Sequence, residues 1–387
     1  MKLILILLIS LPLYAQNKAT KAPKKSVSVI QEPATPVVIN KYEEIDKQIT
    51  TDTTQVSIQQ LSNRFQTLPS EEAKVRAIYM WVSKNIAYDV NQLFSFHFGE
   101  TSDLSTDQIL RTRKGVCVDY ALLFNELCTN VGLKSYTVEG YVKKGKVIGD
   151  FGHAWNAVRI HDQWYLFDST WGAGYVSERT FTQAPNDVYF MVPPDEFIYS
   201  HMPFDPIWEF LEHPITNQEF YNNLNKSSNI SVAFSVNDSL KIYDQQPHLK
   251  HLEAAEKRIE KNGNVNFMTE TYLHNIKYEI LSTYYSRGVD AYNETVKLIK
   301  DFTNYRIARF TPLKSDEDIK KMLIDIESQL AATKRIVAEI PLKNKDVIKK
   351  VDEINKLLVE LDQNVKEQNQ FLTKYFKVWK PLRKAML

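Results

Sequence analysis

Near the C-terminal end, two long stretches repeat apolar residues at alternating intervals of four and three. Ile319, Leu323, Ile326, Leu330, Thr333, Val337 and Ile340 form one series, which Pro341 ends; Val347, Val351, Ile354, Leu358, Leu361, Val365, Gln368, Leu372 and Tyr375 form the other. This spacing lines side chains along one helical stripe, so each stretch is predicted helix. The short break between them predicts an antiparallel hairpin with coiled-coil packing. Helical patterns over 252–261 and 272–302 extend this character upstream, giving an all-α accessory region over 248–387. A bundle burying its own seam accounts for the stripes more simply than a dimerisation arm. The C-terminal helices, with Tyr375, Phe376 and Trp379, still offer surface for contact with a partner.

The first half of the chain reads differently. Tyr120, Leu123, Leu127 and Val131 share one helical face, and Gly132 follows where a left-handed cap would end that helix. Tyr136 to Val142 has strand composition. A loop holding Lys143, Lys144, Gly145, Lys146, Gly149 and Gly152 is expected next, then two apolar runs, 153–160 and 164–168, separated by a polar turn at His161 and Asp162. Runs so close together predict an antiparallel hairpin. Further on, 230–243 alternates like a strand at Val232, Phe234 and Val236, which makes 226–247 a strand-like connecting segment. The expected class is α+β, with N-terminal helices packed on an antiparallel sheet, followed by the all-α hairpin or bundle.

Chemistry enters at Cys117, which follows Gly115 and Val116 and opens the helix that begins the sheet region. Backbone N–H groups of a first helical turn lack intrahelical partners, and the helix dipole there favours negative charge. A thiolate is therefore stabilised relative to a free thiol of pKa about 8.5, and the same N–H groups can hold an oxyanion. Downstream stand His153 and Asp168, one on each strand of the predicted hairpin. With His161 and Asp162 as the loop, paired residue numbers sum to an odd value, so Asp168 lies opposite Trp155 and diagonal to His153. That is roughly 7–8 Å at the backbone, within side-chain reach. Cys117, His153 and Asp168 thus read as nucleophile, general base and orienting carboxylate. Cys128 lies mid-helix between Leu127 and Val131 and is assigned to the core. The two sulfurs would stand about 16 Å apart on one helix, too far for a disulfide. A zinc reading of the three residues has one thiolate and neither Cys-x-x-Cys nor His-x-x-x-His spacing to support it, so no metal or cofactor is expected.

Gly115-Val116-Cys117-Val118-Asp119-Tyr120-Ala121, Gly152-His153-Ala154-Trp155-Asn156-Ala157-Val158 and Trp164-Tyr165-Leu166-Phe167-Asp168-Ser169-Thr170-Trp171-Gly172 resemble the three signature blocks of the transglutaminase-like superfamily, which has a papain-like fold. Ala77 to Asp89 is similar to the helix and turn ahead of that core. His201 to Trp208 and Pro214 to Phe220 resemble the tail of the kyphoscoliosis-peptidase branch. The resemblance spans roughly 40–225 and implies a catalytic domain over 41–225 that uses Cys117, His153 and Asp168. It leaves the second oxyanion donor open between Trp81 and Tyr88. Val118 replaces the large aromatic residue that follows the nucleophile in calcium-dependent tissue transglutaminases, and no Asp-rich calcium loop is visible. Two cysteines also cannot build the zinc module of glycan-removing relatives. The expected function is a thiol enzyme acting on protein or peptide amides through a thioester, as a peptidase, an amidase or a protein-glutamine crosslinker. The rival is a catalytically silent module with a peptide-binding groove.

The N-terminal end adds location. Lys2, the apolar run Leu3 to Ile9, and Ala15 before Gln16 read as a secretory signal peptide over 1–15, cleaved after Ala15. This implies a secreted or periplasmic bacterial protein with no integral membrane span after cleavage, because the run is shorter than the roughly 20 residues a span needs. Residues 16–40 carry Lys, Ala, Pro, Ser and Thr without periodicity and read as a flexible linker. With 43% apolar residues and a formal net charge of +1, the chain has no broad basic footprint, which excludes nucleic acid as a partner.

Overall fold

The computed structural model describes residues 41–49, 52, 54–95, 105–224, 226, 235–342 and 345–387. Both the signal-peptide segment 1–15 and the linker 16–40 lie outside them. The described chain divides into two compact units, one ending at Ile276 and the other formed by Lys277–Leu387.

In the first unit, four strands form an antiparallel sheet: β1 (Ser135–Lys144), β2 (Val147–Ile160), β3 (Gln163–Phe167) and β4 (His201–Pro203), in the order β3-β2-β1-β4. Strand periodicity sorts the side chains of β2. Val158 and Ile160 join the main core, with Trp155 and Ala157 in a second cluster beside Val138, Leu166, Phe197 and Ile207. The main core holds the helix Glu71–Asn85, apolar nearly all round and accordingly buried nearly all round, and the helix Cys117–Asn130. Arg76 is buried in that first helix. It is held by two hydrogen bonds to Asp46 (2.8 and 2.5 Å) and two to Asp187 (2.6 and 3.3 Å), between the rings of Tyr42 and Phe190.

The β2–β3 hairpin has the expected register. Ile160 pairs with Gln163 and Asn156 with Phe167, and His161 and Asp162 turn the chain with φ of 46° and 65°, the two positive values of a type I′ turn. Two expectations are corrected. The predicted loop 143–152 is strand for most of its length, because β1 and β2 continue to a tight turn at Gly145 and Lys146 with an irregularity between Tyr141 and Lys143. The strand-like segment 226–247 contains a helix, Val236–Gln245. Ser235 caps it by accepting from the Asp238 N–H, and Leu240 is its buried residue. Val232 and Phe234 lie outside the described residues. The division at Ile276 also leaves this helix and His248–Asn262 in the first unit, whereas the accessory region was expected from 248.

The second unit is a helical bundle. Asp316–Ala338 with Ile340 just beyond it, and Lys345–Lys377, bury every residue of the two stripes against Val289, Tyr292, Val296, Ile299 and Phe302 of the long helix Phe267–Ile307. The polar members of the stripes are paired: Thr333 with Thr295 (2.8 Å), and Gln368 with Arg306 (2.9 Å). Arg383, bonded to Asp316 and lying over the Tyr375 and Phe376 rings, closes one end, and Trp379 stays exposed. No helix among the described residues is long and apolar enough to cross a membrane.

Gly140 of β1 is where the sheet is tightest. A Cβ there would stand 2.1 Å from the Met202 carbonyl of β4 and 2.5 Å from the Trp155 ring. Gly149, in the outer part of β2, would meet nothing nearer than 3.4 Å. Gly140→Ala should therefore lower unfolding stability by about 1–3 kcal/mol in urea, the usual cost of overpacking, with Gly149→Ala within about 0.5 kcal/mol of the parent.

Candidate active site

Cys117 is the first residue of its helix, so its N–H has no partner within the helix. The turn into it is set by Gly115, where a Cβ would fall 2.5 Å from that of Asp119. Asp119 in turn accepts the Val116 N–H at 2.8 Å. The helix is tied to its surroundings by two bonds. Tyr120 Oη donates to the Ile86 carbonyl, and Asn156 Nδ2 of β2 donates to the Ala121 carbonyl at 2.9 Å. Cys117 is partly exposed and Cys128 fully buried, and both are free thiols.

His153, on β2 opposite Gly140, reaches Asp168 with Nε2 at 2.7 Å from Oδ2. Cys117 lies close enough to the imidazole to help hold its proton. Because Nε2 serves Asp168, the nitrogen left for the sulfur is Nδ1. The structure thus brings Cys117, His153 and Asp168 together in the order read from the sequence. Asp168 stands just beyond β3 and caps the short helix Ser169–Ala173, its Oδ1 accepting from the Thr170 N–H (2.9 Å) and the Trp171 N–H (3.0 Å).

One member of the cluster was not read from the sequence as a site residue. His201, the first residue of β4, is 1% exposed and places Nε2 3.2 Å from Asp168 Oδ2, with its Nδ1 2.7 Å from Ser200 Oγ. It sits 33 residues from Asp168 on a strand of three residues, and no spacing rule links the two. The clue was composition: an imidazole amid the apolar residues that follow the core blocks. His153, Asp168 and His201 offer ligand atoms within 4.8 Å of one another, a set that could hold a cation. Their N···O separations of 2.7 and 3.2 Å are those of hydrogen bonds.

Of the two oxyanion candidates, Trp81 is fully buried and commits its indole N–H to Asp52 Oδ2 at 2.6 Å. It is therefore not aimed at the sulfur. Tyr88 is half-buried and pairs in parallel register with Gly115; burial, with help from the Cys117 charge, raises its phenol pKa well above the usual value.

Burial alone would push the His153 pKa down. The charge and hydrogen bond of Asp168, with help from Cys117, reverse this and raise it to about 10. Burial would likewise raise Asp168, but the two imidazoles hold it far below the carboxylate range. His201 goes the other way: burial outweighs its bond to Asp168 and lowers it to about 4. One buried carboxylate therefore faces one cationic and one neutral imidazole at neutral pH.

Residues 59–169 match the family model described as the transglutaminase-like superfamily, and this part of the chain is a transglutaminase-like domain. The chain is 34% identical over 198 residues to the kyphoscoliosis peptidase of Mus musculus, covering 49% of this chain and 30% of that protein. It is 34% identical over 195 residues to the kyphoscoliosis peptidase of Homo sapiens, covering 48% and 29%. Against Drosophila melanogaster hillarin it is 30% identical over 173 residues, covering 38% and 20%. The chain thus spans less than a third of the length of each of these relatives.

Two measurements test this electrostatic arrangement. The folded chain binds the His153 proton more tightly than the unfolded chain, whose imidazoles titrate near 6.5. Stabilisation from His153 should be complete below pH 6.5 and lost as pH rises towards about 10. For His201 the unfolded chain binds the proton more tightly, so stability should fall as pH drops from 6.5 to about 4, by about 3 kcal/mol in all. Urea titrations across pH should show the acid limb flattened in His201→Gln and the alkaline limb flattened in His153→Gln. Native protein should also take up one equivalent of iodoacetamide, at Cys117, and a second, at Cys128, only after unfolding, since burial seals Cys128 and pushes its thiol pKa up.

Proposed function

We propose that the transglutaminase-like domain is a thiol acyl-transfer enzyme acting on protein or peptide amides through Cys117, His153 and Asp168. The observation that carries this reading is the His153 imidazole, bonded to a buried carboxylate through Nε2 and close enough to a partly exposed helix-start sulfur for the two to interact. A structural histidine has no need of a free thiol on one side and a buried carboxylate on the other.

The chemistry follows from that arrangement. The Cys117 sulfur attacks as thiolate while His153 holds the proton. A C–S bond forms and the carbonyl electrons move onto oxygen, where the Cys117 N–H stabilises the charge and the Tyr88 hydroxyl is the second donor of this reading. As the C–N bond breaks, His153 Nδ1–H passes its proton to the departing amine, leaving a thioester and a neutral imidazole. The imidazole then takes a proton from the acceptor, which attacks the thioester; the C–S bond breaks and the thiolate and protonated imidazole are restored. Water as acceptor completes a hydrolysis; a lysine amine completes a crosslink. Asp168 keeps its charge throughout, steadying the ring and the imidazolium.

The names of the kyphoscoliosis peptidases agree with an amide-cleaving activity. Export to a periplasm or exterior is part of the same reading and rests on the composition of residues 1–15.

The test is incubation with a glutamine-rich protein and a labelled primary amine, following label incorporation and chain cleavage together. Thioester chemistry predicts one or both, each reduced at least a thousandfold in Cys117→Ala and His153→Ala. Cleavage alone assigns a peptidase, incorporation alone a transglutaminase. If neither occurs and His153→Ala alkylates as fast as the parent, the domain is a binding module without catalysis.

A further inference from the structure

We propose that His201 is a positioning residue of the active site: a buried imidazole whose Nε2–H fixes the Asp168 carboxylate on which His153 depends. The inference rests on the catalytic reading of Cys117, His153 and Asp168, and extends that triad by a fourth side chain.

The geometry is the basis. Asp168 has no exposed surface, so its charge can be stabilised only by donors that the fold supplies. Four are present. The Thr170 and Trp171 N–H groups serve Oδ1, and His153 and His201 serve Oδ2. The His153 bond must change in strength as that ring gains and loses its proton during turnover. The two amides lie on the far oxygen, leaving His201 as the only other group on Oδ2 among the described residues.

Its tautomer follows from its partners. Asp168 accepts only, so His201 Nε2 carries the hydrogen. The other nitrogen, 2.7 Å from Ser200 Oγ, is then an acceptor for the hydroxyl proton. A second cation here would lie with its ring centre 5.8 Å from that of cationic His153, beside a single carboxylate. Burial and that repulsion together keep the ring neutral well below pH 6.

The surroundings preserve this state. Phe197 stacks on the His201 ring at 4.0 Å, and Trp155, Trp171 and Tyr189 pack around it at 5.2, 4.8 and 5.5 Å. The titratable groups facing it are Asp168, His153, the Tyr189 phenol and Glu209, which lines the same small cavity as Trp155 and His201. Burial pushes the Glu209 pKa well above its usual value. Strand β4 holds the residue in place through Val142↔His201 and Tyr141↔Met202 pairing, and Gly140 is what lets β4 come so near.

His201→Phe keeps an aromatic ring to stack on Phe197 but removes the donor. His201→Gln keeps a side-chain N–H donor and gives up the ring. Positioning predicts that Cys117 alkylation at pH 7 slows about tenfold or more in the Phe variant and returns to within about threefold of the parent in the Gln variant. A packing role predicts the reverse order, with Phe tolerated and Gln damaging, and that result would overturn the proposal. The parent protein gives an independent readout. Nitrogen-15 NMR of the imidazoles should show His201 as the neutral Nε2–H tautomer throughout pH 5.5–8. Finding the Nδ1–H tautomer, or a ring that titrates in this range, refutes the proposal even if a variant fails to fold. His153→Ala separates the two levels: if it leaves parent alkylation unchanged the catalytic reading itself falls, whereas a large effect there with none in His201→Phe removes only His201.

Discussion

A carboxylate with no contact with water is the constraint on which this site turns. An ionised carboxylate taken into a protein interior loses several kcal/mol of hydration unless donors replace it. Asp168 recovers that loss from two backbone amides at the start of a short helix and from two imidazoles on different strands. Its position is over-determined as a result. The hairpin register brings it to His153, the helix start fixes one oxygen, and the edge strand closes on the other. A ring bonded to such a group inherits its rigidity and holds its place beside the sulfur.

The nucleophile side is anchored separately. The helix that starts at Cys117 is bound to the sheet by the Asn156 amide and to the preceding chain by the Tyr120 hydroxyl. Asn156 lies three residues from His153 on the same strand, so one strand sets both the base and the helix that carries the thiol. Relative placement of sulfur and imidazole therefore depends on a few short-range contacts within the first unit. The helical bundle is built on a different principle, a continuous apolar seam closed by paired threonines and an arginine stacked over aromatic rings.

Much of this was legible in the residues. Cys117, His153 and Asp168 stand out because each belongs to a local element with a strong pattern, and the two-residue turn at His161 and Asp162 makes the hairpin register a matter of counting. The heptad stripes were legible for the same reason: a repeat of three and four over many turns has one structural solution. What escaped was long-range or governed by a local signal that competes with periodicity. His201 meets Asp168 across 33 residues through a strand too short to announce itself. In 236–245, the Ser235 cap and the spacing from Val236 to Leu240 outweighed the apparent alternation. The lysine- and glycine-containing stretch after Val142 read as loop because its composition is polar, yet backbone pairing needs no apolar side chain, and an exposed hairpin tip tolerates such residues well.

The tight reversal at His161 and Asp162 has a last implication, for how the gene can vary. Any pair of residues that tolerates positive φ could stand there, and the sequence of the tip is free within that limit. Its length is not. One codon gained or lost would leave a hairpin of the same composition but move every side chain of β3 to the other side of the sheet, sending Asp168 into the apolar layer that Phe167 now fills. Substitutions at this tip should therefore be found among relatives, whereas single-residue insertions and deletions should be purged.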